Sequence, residues 1–147
     1  MKIFITGIAG FLGSHLAEGH EVTGCDNLIG GYLDNVPEGA DFYQVDCQYL
    51  NTMNKLMRGV DVVYHTACTA YEGLSVFSPN LVCQNTYQIT ASVASAAISQ
   101  GIKRFVYCSS MARYGTQEVV PFTEELSPRP QDPYGISENV QSGKLIL

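Results

Sequence analysis

Three glycines near the start of the chain are the first residues whose type and spacing suggest chemistry. Gly7, Gly10 and Gly13 lie in the segment GIAGFLG, which follows a short, apolar, β-rich run at residues 3–6. Between a strand and a helix, such glycines let the backbone approach a pyrophosphate, which the amides and the dipole of the helix N-terminus bind. The spacing is G-x-x-G-x-x-G and not the commoner G-x-G-x-x-G, so a plain turn is the alternative interpretation.

Two carboxylates follow the next two strand-like segments. Asp26 closes the segment at residues 21–25, and Asp46 follows residues 42–45. A carboxylate at the end of the second strand accepts hydrogen bonds from the adenosine ribose hydroxyls of a dinucleotide, and it repels a 2′-phosphate. Asp26 therefore predicts NAD and not NADP, with a turn-forming role as the alternative. Asp46 is expected either near the adenine amino group or in a solvated loop.

The order of the elements supplies the scaffold for these residues. Strand-like segments alternate with helical ones along the chain, and strands are expected at residues 3–6, 21–25, 42–45, 61–65 and 104–109. A short helix is predicted over residues 51–58. This alternation predicts an α/β fold, a doubly wound parallel sheet of the Rossmann type with right-handed crossovers. A single domain is expected over residues 1–147, with residues 121–133 as a surface loop near the site.

The most clearly marked helix lies between the fourth and fifth strands. Ser78 suits the N-cap, Pro79 suits the first helical position, and Gly101 can end the helix in a left-handed conformation. Helical spacing predicts an inner face that carries Val82, Asn85, Ile89, Val93 and Ala96. Because a buried amide needs hydrogen-bond partners, Asn85 is expected to tie this helix to a neighbouring strand or loop.

The composition narrows the classes of partner. The chain carries 8 basic and 14 acidic side chains, a net charge of −6, and the basic residues form no run. Because nucleic-acid surfaces need clustered Lys and Arg, no nucleic-acid partner is expected. No apolar stretch reaches about 18 residues, so no membrane span is expected. The short apolar run before Gly7 does not fit a signal peptide.

The five cysteines predict neither a metal site nor a redox site. They are odd in number, widely spaced and without C-x-x-C pairing. Cys25, Cys68 and Cys108 lie in apolar runs, where cysteine commonly acts as a small buried hydrophobe. Free thiols suit a reducing cytosol, so a cytoplasmic location is expected.

Further segments extend the pattern across nearly the whole chain. TGIAGFLGSHL is followed in order by CDNL, VDC, HTA, SSMARYG and PYGIS. With these segments the chain resembles the NAD-dependent epimerase/dehydratase family of extended short-chain dehydrogenases/reductases. Dehydratases of that family tend to carry TDE where this chain has SMA at residues 110–112. The resemblance therefore favours a 4-epimerase that acts on nucleotide sugars, most of all UDP-sugars.

The resemblance implies roles for individual residues. Ser110 would orient the sugar hydroxyl, Tyr134 would be the catalytic base, and Tyr71 and Glu72 would lie in a loop that faces the substrate. It also implies a homodimer, paired through helices. The residues that it places around the cofactor, NAD, are Gly7, Gly10, Phe11, Leu12, Gly13, Asp26, Asn27, Asp46, Cys47, His65, Thr66, Ala67, Asn85 and Tyr134.

The resemblance also implies which part of NAD each of these residues would contact. The amides of Phe11 and Leu12 would meet the pyrophosphate, and Asn27 would help Asp26 to hold the ribose. Asp46 and Cys47 would flank the adenine, and residues 65–67 would line the cofactor at the end of the fourth strand. As a lone histidine, His65 is expected to be a packed strand-end residue and not a catalyst.

One residue departs from the chemistry that the family implies. Such an epimerase removes the proton of the sugar 4-hydroxyl while hydride leaves C4, and the hydride then returns to the other face. A tyrosine with a pKa near ~10 is a poor base at neutral pH unless positive charge stabilises its phenolate. The family has a lysine four residues after the tyrosine, on the same helical face. Here that residue is Glu138, whose carboxylate would raise the pKa of Tyr134. Lys144 lies ten residues after Tyr134, about 15 Å along a helix.

Two further departures bear on domain organisation. Only residues 14–20 separate Gly13 from the second strand, whereas a parallel crossover normally needs a dozen or more residues. The C-terminal region that grips the nucleotide sugar in this family has no counterpart before Leu147. Either segments near residues 18–19 and 137–138 are absent from the sequence, or the chain is a shortened relative.

These departures leave alternatives to the epimerase. For the sequence as it stands we expect little or no epimerase activity. The chain would then be a non-catalytic NAD-binding module or an inactive relative. A dehydratase, decarboxylase or reductase of the same family is a further alternative.

Overall fold

A computed structural model describes residues 1–142 as an α/β fold. The strands are β1 (Ile3–Thr6), β2 (Val22–Asp26), β3 (Asp41–Gln44), β4 (Val62–His65) and β5 (Arg104–Tyr107). The helices are α1 (Phe11–Ala17), α2 (Leu50–Leu56), α3 (Glu72–Phe77), α4 (Pro79–Cys83), α5 (Ile89–Gln100) and α6 (Pro133–Ser142). Lys144 lies outside the described residues.

The five strands form one parallel sheet in the order β3-β2-β1-β4-β5. Ile5 of β1 stands in register with Gly24 of β2 on one side and with Tyr64 of β4 on the other. The strand order reverses between β1 and β4, and in such sheets ligands bind beyond the carboxyl ends of the strands at this switch point. The predicted doubly wound parallel sheet is confirmed.

The first crossover spans residues 7–21, and the 7 residues of α1 supply its helix. After α1 the chain turns through Gly19, whose φ of 74° is left-handed. Residues 14–20 are too few for the crossing by themselves, but the glycine loop before them also runs along it. These fifteen residues therefore meet the usual length of a parallel connection. An absent segment near residues 18–19 stays a prediction.

Two helical stretches lie between β4 and β5. The first, α3, was not predicted, and Glu72 begins this helix instead of lying in a loop. The second, from α4 to α5, begins and ends as predicted. Pro79 takes the first position of α4, and Gly101 ends α5 with φ 65° and ψ 38°. Ser78 makes no side-chain capping hydrogen bond, contrary to the prediction. A π-helical segment, Gln84–Gln88, joins α4 to α5 and contains Asn85. Such wide turns inside helices are frequent at functional sites.

Apolar clusters cover both faces of the sheet. One cluster packs Phe4 and Val63 of the sheet against Met53 of α2 and Val93 of α5. The other packs Ile5 against Ile8, Ala17 and Val22. Neighbouring residues of a strand point to opposite faces, so a strand that is covered on both sides is apolar throughout.

The cysteines match the expectation only in part. Cys25 is fully buried, as predicted. Cys68 is exposed and Cys108 is half-buried, so the prediction of burial is wrong for both. Cys108 directly follows β5, and Cys68 lies three residues after the end of β4. At these strand ends the helices no longer cover the chain completely.

Candidate functional site

The glycine loop makes a tight turn between β1 and α1. Gly7 has φ 72°, and its amide donates to the Cys25 carbonyl at 2.8 Å. A Cβ at Gly13 would lie 2.2 Å from the Gly7 carbonyl oxygen, so only glycine lets α1 pack this closely on the loop. A Cβ at Gly10 would meet only that same oxygen, at 3.2 Å. Gly10 therefore leaves open space beside the helix N-terminus.

Two backbone amides fix the Asp26 carboxylate. The Ala9 amide donates to Oδ2 at 3.1 Å, and the Leu28 amide donates to Oδ1 at 2.8 Å. The first bond ties the end of β2 to the glycine loop. The second is an Asx turn, so the turn-forming alternative describes part of what Asp26 does. The same residue also lines the cavity described below.

Asn27 and Asp46 connect the ends of β2 and β3. The Asn27 side-chain amide donates to Asp46 Oδ2 at 3.0 Å, and Asp46 Oδ1 accepts from the Gln48 amide at 2.8 Å. Cys47 follows Asp46 and is buried, with 5% of its surface exposed. Asp46 is thus a bonded, half-buried residue and not a freely solvated loop acid.

These residues meet at a cavity of about 290 Å³ beyond the carboxyl ends of the strands. This size lies near the lower end of the range of about 300–1,000 Å³ for ligand pockets. Among the predicted cofactor residues, the cavity is lined by Gly7, Gly10, Asp26, Asn27, Asp46, Cys47, Thr66, Ala67 and Asn85. Residues 29–31 and 68–70 also line it, although they were not among the predicted cofactor residues. Their position directly after β2 and β4 was the signal that could have identified them.

Asn85 brings an unsatisfied donor to this cavity. Its Nδ2 atom is buried and has no hydrogen-bond partner within residues 1–142. The expected tie from this amide nitrogen to a neighbouring strand or loop is therefore not formed. A buried donor without a partner costs about 1–3 kcal/mol, and a ligand acceptor in the cavity would recover that cost. The cavity is thus suited to a ligand with polar acceptor atoms.

His65 lies away from the cavity, inside the fold. Its Nδ1 is 2.6 Å from Thr6 Oγ1 and its Nε2 is 2.7 Å from Thr90 Oγ1. The residue is fully buried, and burial lowers the pKa of the imidazole to about 3. His65 is therefore a neutral link between β1, β4 and α5, the packed strand-end residue that was expected. Thr66 and Ala67 reach the cavity, but His65 does not.

Phe11 and Leu12 also lie outside the lining of the cavity. Their side chains are exposed, at 82% and 46%. They are the first two residues of α1, where backbone amides have no intrahelical acceptor. Their backbone amides are therefore available to a ligand, as the predicted pyrophosphate contact requires.

Ser110 and Tyr134 meet beside the cavity. Ser110 caps the 3₁₀ turn Met111–Tyr114, and its Oγ accepts from the Ala112 amide at 3.1 Å. Tyr134 is the second residue of α6, is 4% exposed, and hydrogen-bonds to the side chains of Ser110 and Cys68. Cys68 lines the cavity. The pair thus adjoins the cavity through Cys68 without forming its wall.

The start of α6 is fixed from outside the helix. Asp132 precedes Pro133, and its Oδ1 accepts from the Gly135 amide at 2.9 Å and from Ser75 Oγ at 3.2 Å. The first contact is an N-terminal cap, and the second joins α6 to α3. Together they fix the first turn of α6, which contains Tyr134.

Glu138 occupies the position four residues after Tyr134 and is fully buried. The Tyr107 hydroxyl donates to its Oε2 at 2.5 Å, and the side chains of Ser109 and Tyr134 also hydrogen-bond to the carboxyl group. A carboxylate therefore takes the position where the resemblance led us to expect an ammonium group.

The surroundings of Tyr134 favour its neutral, protonated form. Burial, followed by the nearby Cys68, Glu138 and Glu72, raises the pKa of Tyr134, and the hydrogen bond from Ser110 opposes this only in part. Burial also raises the pKa of Glu138, against the effect of its hydrogen-bond donors. Cys68 is an exposed residue, but its thiol is withdrawn from solvent towards Tyr134, and this desolvation raises its pKa to about 11.

Two kinds of feature are absent from the described part of the chain. Within residues 1–142, no three His, Cys, Asp or Glu side chains are grouped so that they could hold a metal ion. None of the helices described there has the length and apolar character needed to cross a bilayer.

Comparison with known proteins decides the family. The model of the NAD dependent epimerase/dehydratase family matches residues 3–142, nearly the whole chain. The chain belongs to the NAD-dependent epimerase/dehydratase family. A UDP-glucose 4-epimerase of Streptomyces lividans is a similar member of the family, 38% identical over 145 residues. That match covers 93% of this chain and 44% of the relative.

Solved structures of epimerase/dehydratase enzymes share the fold. The UDP-glucose 4-epimerase of Thermus thermophilus, in complex with NAD, superimposes with a TM-score of 0.88 at 33% identity, over 96% of this chain and 48% of that one. A dTDP-glucose 4,6-dehydratase of Streptomyces venezuelae, with NAD bound, gives 0.89 at 26% identity, over 96% and 49%. The chain thus spans less than half the length of these relatives. Since epimerase and dehydratase superimpose equally well, the fold does not distinguish the two reactions.

Proposed function

We propose that this chain binds NAD and forms the cofactor-binding part of a nucleotide-sugar 4-epimerase. The observation that carries the proposal is the Asp26 carboxylate at the end of β2. It is bonded to the glycine loop through the Ala9 amide, and it lines the same cavity as Gly10. This pairing of a phosphate-binding loop with a ribose-binding acid suits a dinucleotide without a 2′-phosphate.

Different residues of the cavity would bind different parts of the cofactor. The amides at the start of α1 would bind the pyrophosphate, and Asp26 with Asn27 would accept and donate hydrogen bonds to the adenosine ribose. Asp46 and Cys47 would flank the adenine. The unsatisfied Nδ2 of Asn85 would donate to a polar atom of the cofactor near Thr66 and Ala67. The donors and acceptors of the cavity therefore fit NAD.

The proposed reaction needs a proton acceptor and a hydride acceptor in adjoining places. Bound NAD supplies the hydride acceptor, and Tyr134, with Ser110, would take the proton of the sugar hydroxyl. Ser110 supports this role because it hydrogen-bonds to Tyr134. UDP-sugars are the proposed substrates because relatives such as the Streptomyces lividans protein are UDP-glucose 4-epimerases. A homodimer belongs to the same proposal, and light scattering of the purified chain tests it.

One specific observation favours a second candidate, an NAD-binding module without turnover. Burial of Tyr134, with a further contribution from the buried Glu138 beside it, raises the pKa of the residue that must accept the proton. A general base works best when its pKa lies near the working pH, and here the pKa moves in the opposite direction. For the sequence as it stands, we therefore propose cofactor binding with little or no turnover.

Calorimetric titration of NAD and NADP into the purified chain tests the cofactor. We expect NAD to bind more tightly, Asp26→Ala to weaken NAD binding at least tenfold, and Asp26→Asn to narrow the difference between the two cofactors. Asp34→Asn is the matched control, because Asp34 is an exposed carboxylate outside the cavity. If wild type and Asp26→Ala bind NAD equally, the proposed site is wrong.

An assay with UDP-glucose and UDP-galactose separates the two candidates. The wild-type chain, saturated with NAD, is incubated with each sugar, and the products are resolved by chromatography. We expect no interconversion by the wild-type chain. Interconversion that disappears in Tyr134→Phe would instead support an active epimerase and reject the module without turnover.

A further inference from the structure

Two cysteines touch at the adenosine end of the cavity. Cys25 of β2 and Cys47, which follows β3, are 22 positions apart in the chain, yet their Sγ atoms are 3.6 Å apart. Both residues are buried, at 0% and 5% exposure. A disulfide has an S–S distance of about 2.05 Å, so the sulfurs need to approach by less than about 2 Å.

The two thiols are adjacent in sequence to the carboxylates of the cavity. Asp26 follows Cys25, Asp46 precedes Cys47, and the Asn27–Asp46 hydrogen bond of 3.0 Å already joins the two strand ends. A bond between the sulfurs would draw the ends of β2 and β3 together. Asp26 and Asp46 would then move relative to each other, and the part of the cavity between them would change shape.

Access to the pair is through the cavity. Both cysteines belong to the apolar cluster around Phe4, and of the two only Cys47 also lines the cavity. The hydrogen bond with Cys47, followed by burial and the nearby carboxylates, raises the pKa of the Cys25 thiol well above its usual range. Because only Cys47 of the pair lines the cavity, a small uncharged oxidant that enters it would reach Cys47 first, with Cys25 in contact as the second thiol.

We propose that Cys25 and Cys47 form a reversible thiol–disulfide pair, which closes in the ligand-free chain and is protected when a dinucleotide fills the cavity. The protection rests on the proposed NAD-binding function, because the adenine would cover Cys47. The disulfide itself rests only on the contact between the two sulfurs and on the exposure of Cys47 to the cavity.

The oxidation balances with a hydroperoxide as oxidant. The Cys47 sulfur attacks one peroxide oxygen, the O–O bond breaks, and a molecule of water or alcohol leaves with the Cys47 proton. The Cys25 sulfur then attacks the sulfur of the resulting sulfenic acid, the S–O bond breaks, and water leaves with the Cys25 proton. The two cysteines lose two electrons in total, and the peroxide gains them. A dithiol such as dithiothreitol reverses the reaction.

Peptide mapping of the oxidised wild-type chain tests the disulfide. The reduced chain is treated with hydrogen peroxide, blocked with N-ethylmaleimide and digested. Cleavage after Lys, Arg and Glu residues separates residues 22–38, which contain Cys25, from residues 39–55, which contain Cys47, and leaves Cys68 in residues 59–72. We expect the peptides 22–38 and 39–55 to be joined after oxidation and released by dithiothreitol. A disulfide to any other cysteine, or oxidation of Cys47 without a bond to Cys25, would overturn the proposal.

Two further arms examine the specificity and the consequence of the bond. Cys47→Ser should abolish the joined peptides, whereas Cys83→Ser, which changes a half-buried cysteine outside the cavity, should leave them unchanged. Saturating NAD should slow oxidation at least tenfold, and the oxidised chain should bind NAD at least tenfold more weakly than the reduced chain. Equal oxidation rates with and without bound NAD would reject the protection. If the reduced chain binds no NAD at all, the proposed function fails while the peptide map still decides the disulfide.

Discussion

The Tyr107 hydroxyl donates a 2.5 Å hydrogen bond to the buried carboxyl group of Glu138. This bond joins the last residue of β5 to α6, and it gives a buried acid the partner that burial requires. Glu138 is therefore accommodated by the fold, although it hydrogen-bonds to Tyr134, the proposed catalytic base. Burial has the larger effect on the pKa of Tyr134, and Glu138 raises it further, a contribution that can be measured.

Glu138→Gln should lower the pKa of Tyr134. The amide keeps an acceptor for Tyr107 but removes the negative charge that opposes the phenolate. We expect a decrease of about one pKa unit, or ~1.4 kcal/mol, in an ultraviolet titration of tyrosinate. The spectrum of the same variant with Tyr134→Phe is subtracted to isolate Tyr134. Glu125→Gln, in an exposed loop, is the control, and an unchanged Tyr134 pKa would mean that Glu138 does not act on it.

Asn85→Ala should weaken NAD binding without a matching loss of stability. Asn85 Nδ2 has no hydrogen-bond partner among the described residues. Removing Nδ2 therefore breaks no hydrogen bond that it makes within residues 1–142. We expect NAD affinity to fall by roughly 5-fold to 10-fold, the value of about one hydrogen bond. Calorimetry gives the affinity, and urea denaturation gives the free energy of unfolding. Gln88→Ala, exposed on the same π segment, should change neither quantity; a large loss of stability in Asn85→Ala would indicate a structural role instead.

The stability of the chain should fall in acid because of His65. Burial holds the pKa of its imidazole at about 3 in the folded chain, against 6.5 for an ordinary histidine. Below pH 6.5 the His65 imidazole binds a proton in the unfolded chain but not in the folded chain. The contribution of His65 is therefore complete above pH 6.5 and decreases towards pH 3, with a slope of up to ~1.4 kcal/mol per pH unit.

Urea denaturation between pH 4 and pH 8 measures this dependence. His65→Gln should be less stable at neutral pH but should lose less stability on acidification than the wild-type chain. His15→Gln and His20→Gln change exposed histidines and should keep the wild-type slope. A wild-type slope in His65→Gln would assign the acid sensitivity to other groups.

Intact mass tests whether the sequence lacks segments. A protein isolated from its natural source should weigh clearly more than 16.0 kDa if segments near residues 18–19 and 137–138 are absent from the sequence. Residue 138 is then expected to be preceded by further chain that contains the family lysine. A mass of 16.0 kDa would instead make Glu138 a native feature of a shortened relative.

The features that could be predicted from the sequence are those with local causes. The apolar run at residues 3–6 indicates a buried strand. Gly7 indicates a left-handed turn, and Asp26 indicates the end of a strand. These signals predicted the sheet and part of the cavity wall, whereas Asn27, Cys47 and Ala67 were implied only by the resemblance to the family. Gly101 likewise marked the end of α5, because its φ of 65° is a local requirement.

The remaining features depend on contacts between distant parts of the chain. The Cys25–Cys47 contact joins two strands, and the hydrogen bond between Tyr107 and Glu138 joins β5 to α6. Helical periodicity placed Asn85 on an inner face, but it gave no sign of the π segment or of the missing partner. The exposure of Cys68 was also missed, because an apolar sequence does not reveal where the covering helices end.

The loop after β2 has a consequence for protein engineering. A Cβ at Gly31 would lie 2.9 Å from Asp26 Oδ2 and 2.9 Å from the Ala9 carbonyl carbon, so Gly31 and the acid occupy one crowded space. A variant that accepts a 2′-phosphorylated cofactor would have to lose the Asp26 carboxylate. The backbone amides of Ala9 and Leu28 would then lose their acceptor. The proposed preference for NAD would therefore depend on the shape of the loop, and changing it would require redesigning the whole turn at residues 26–31.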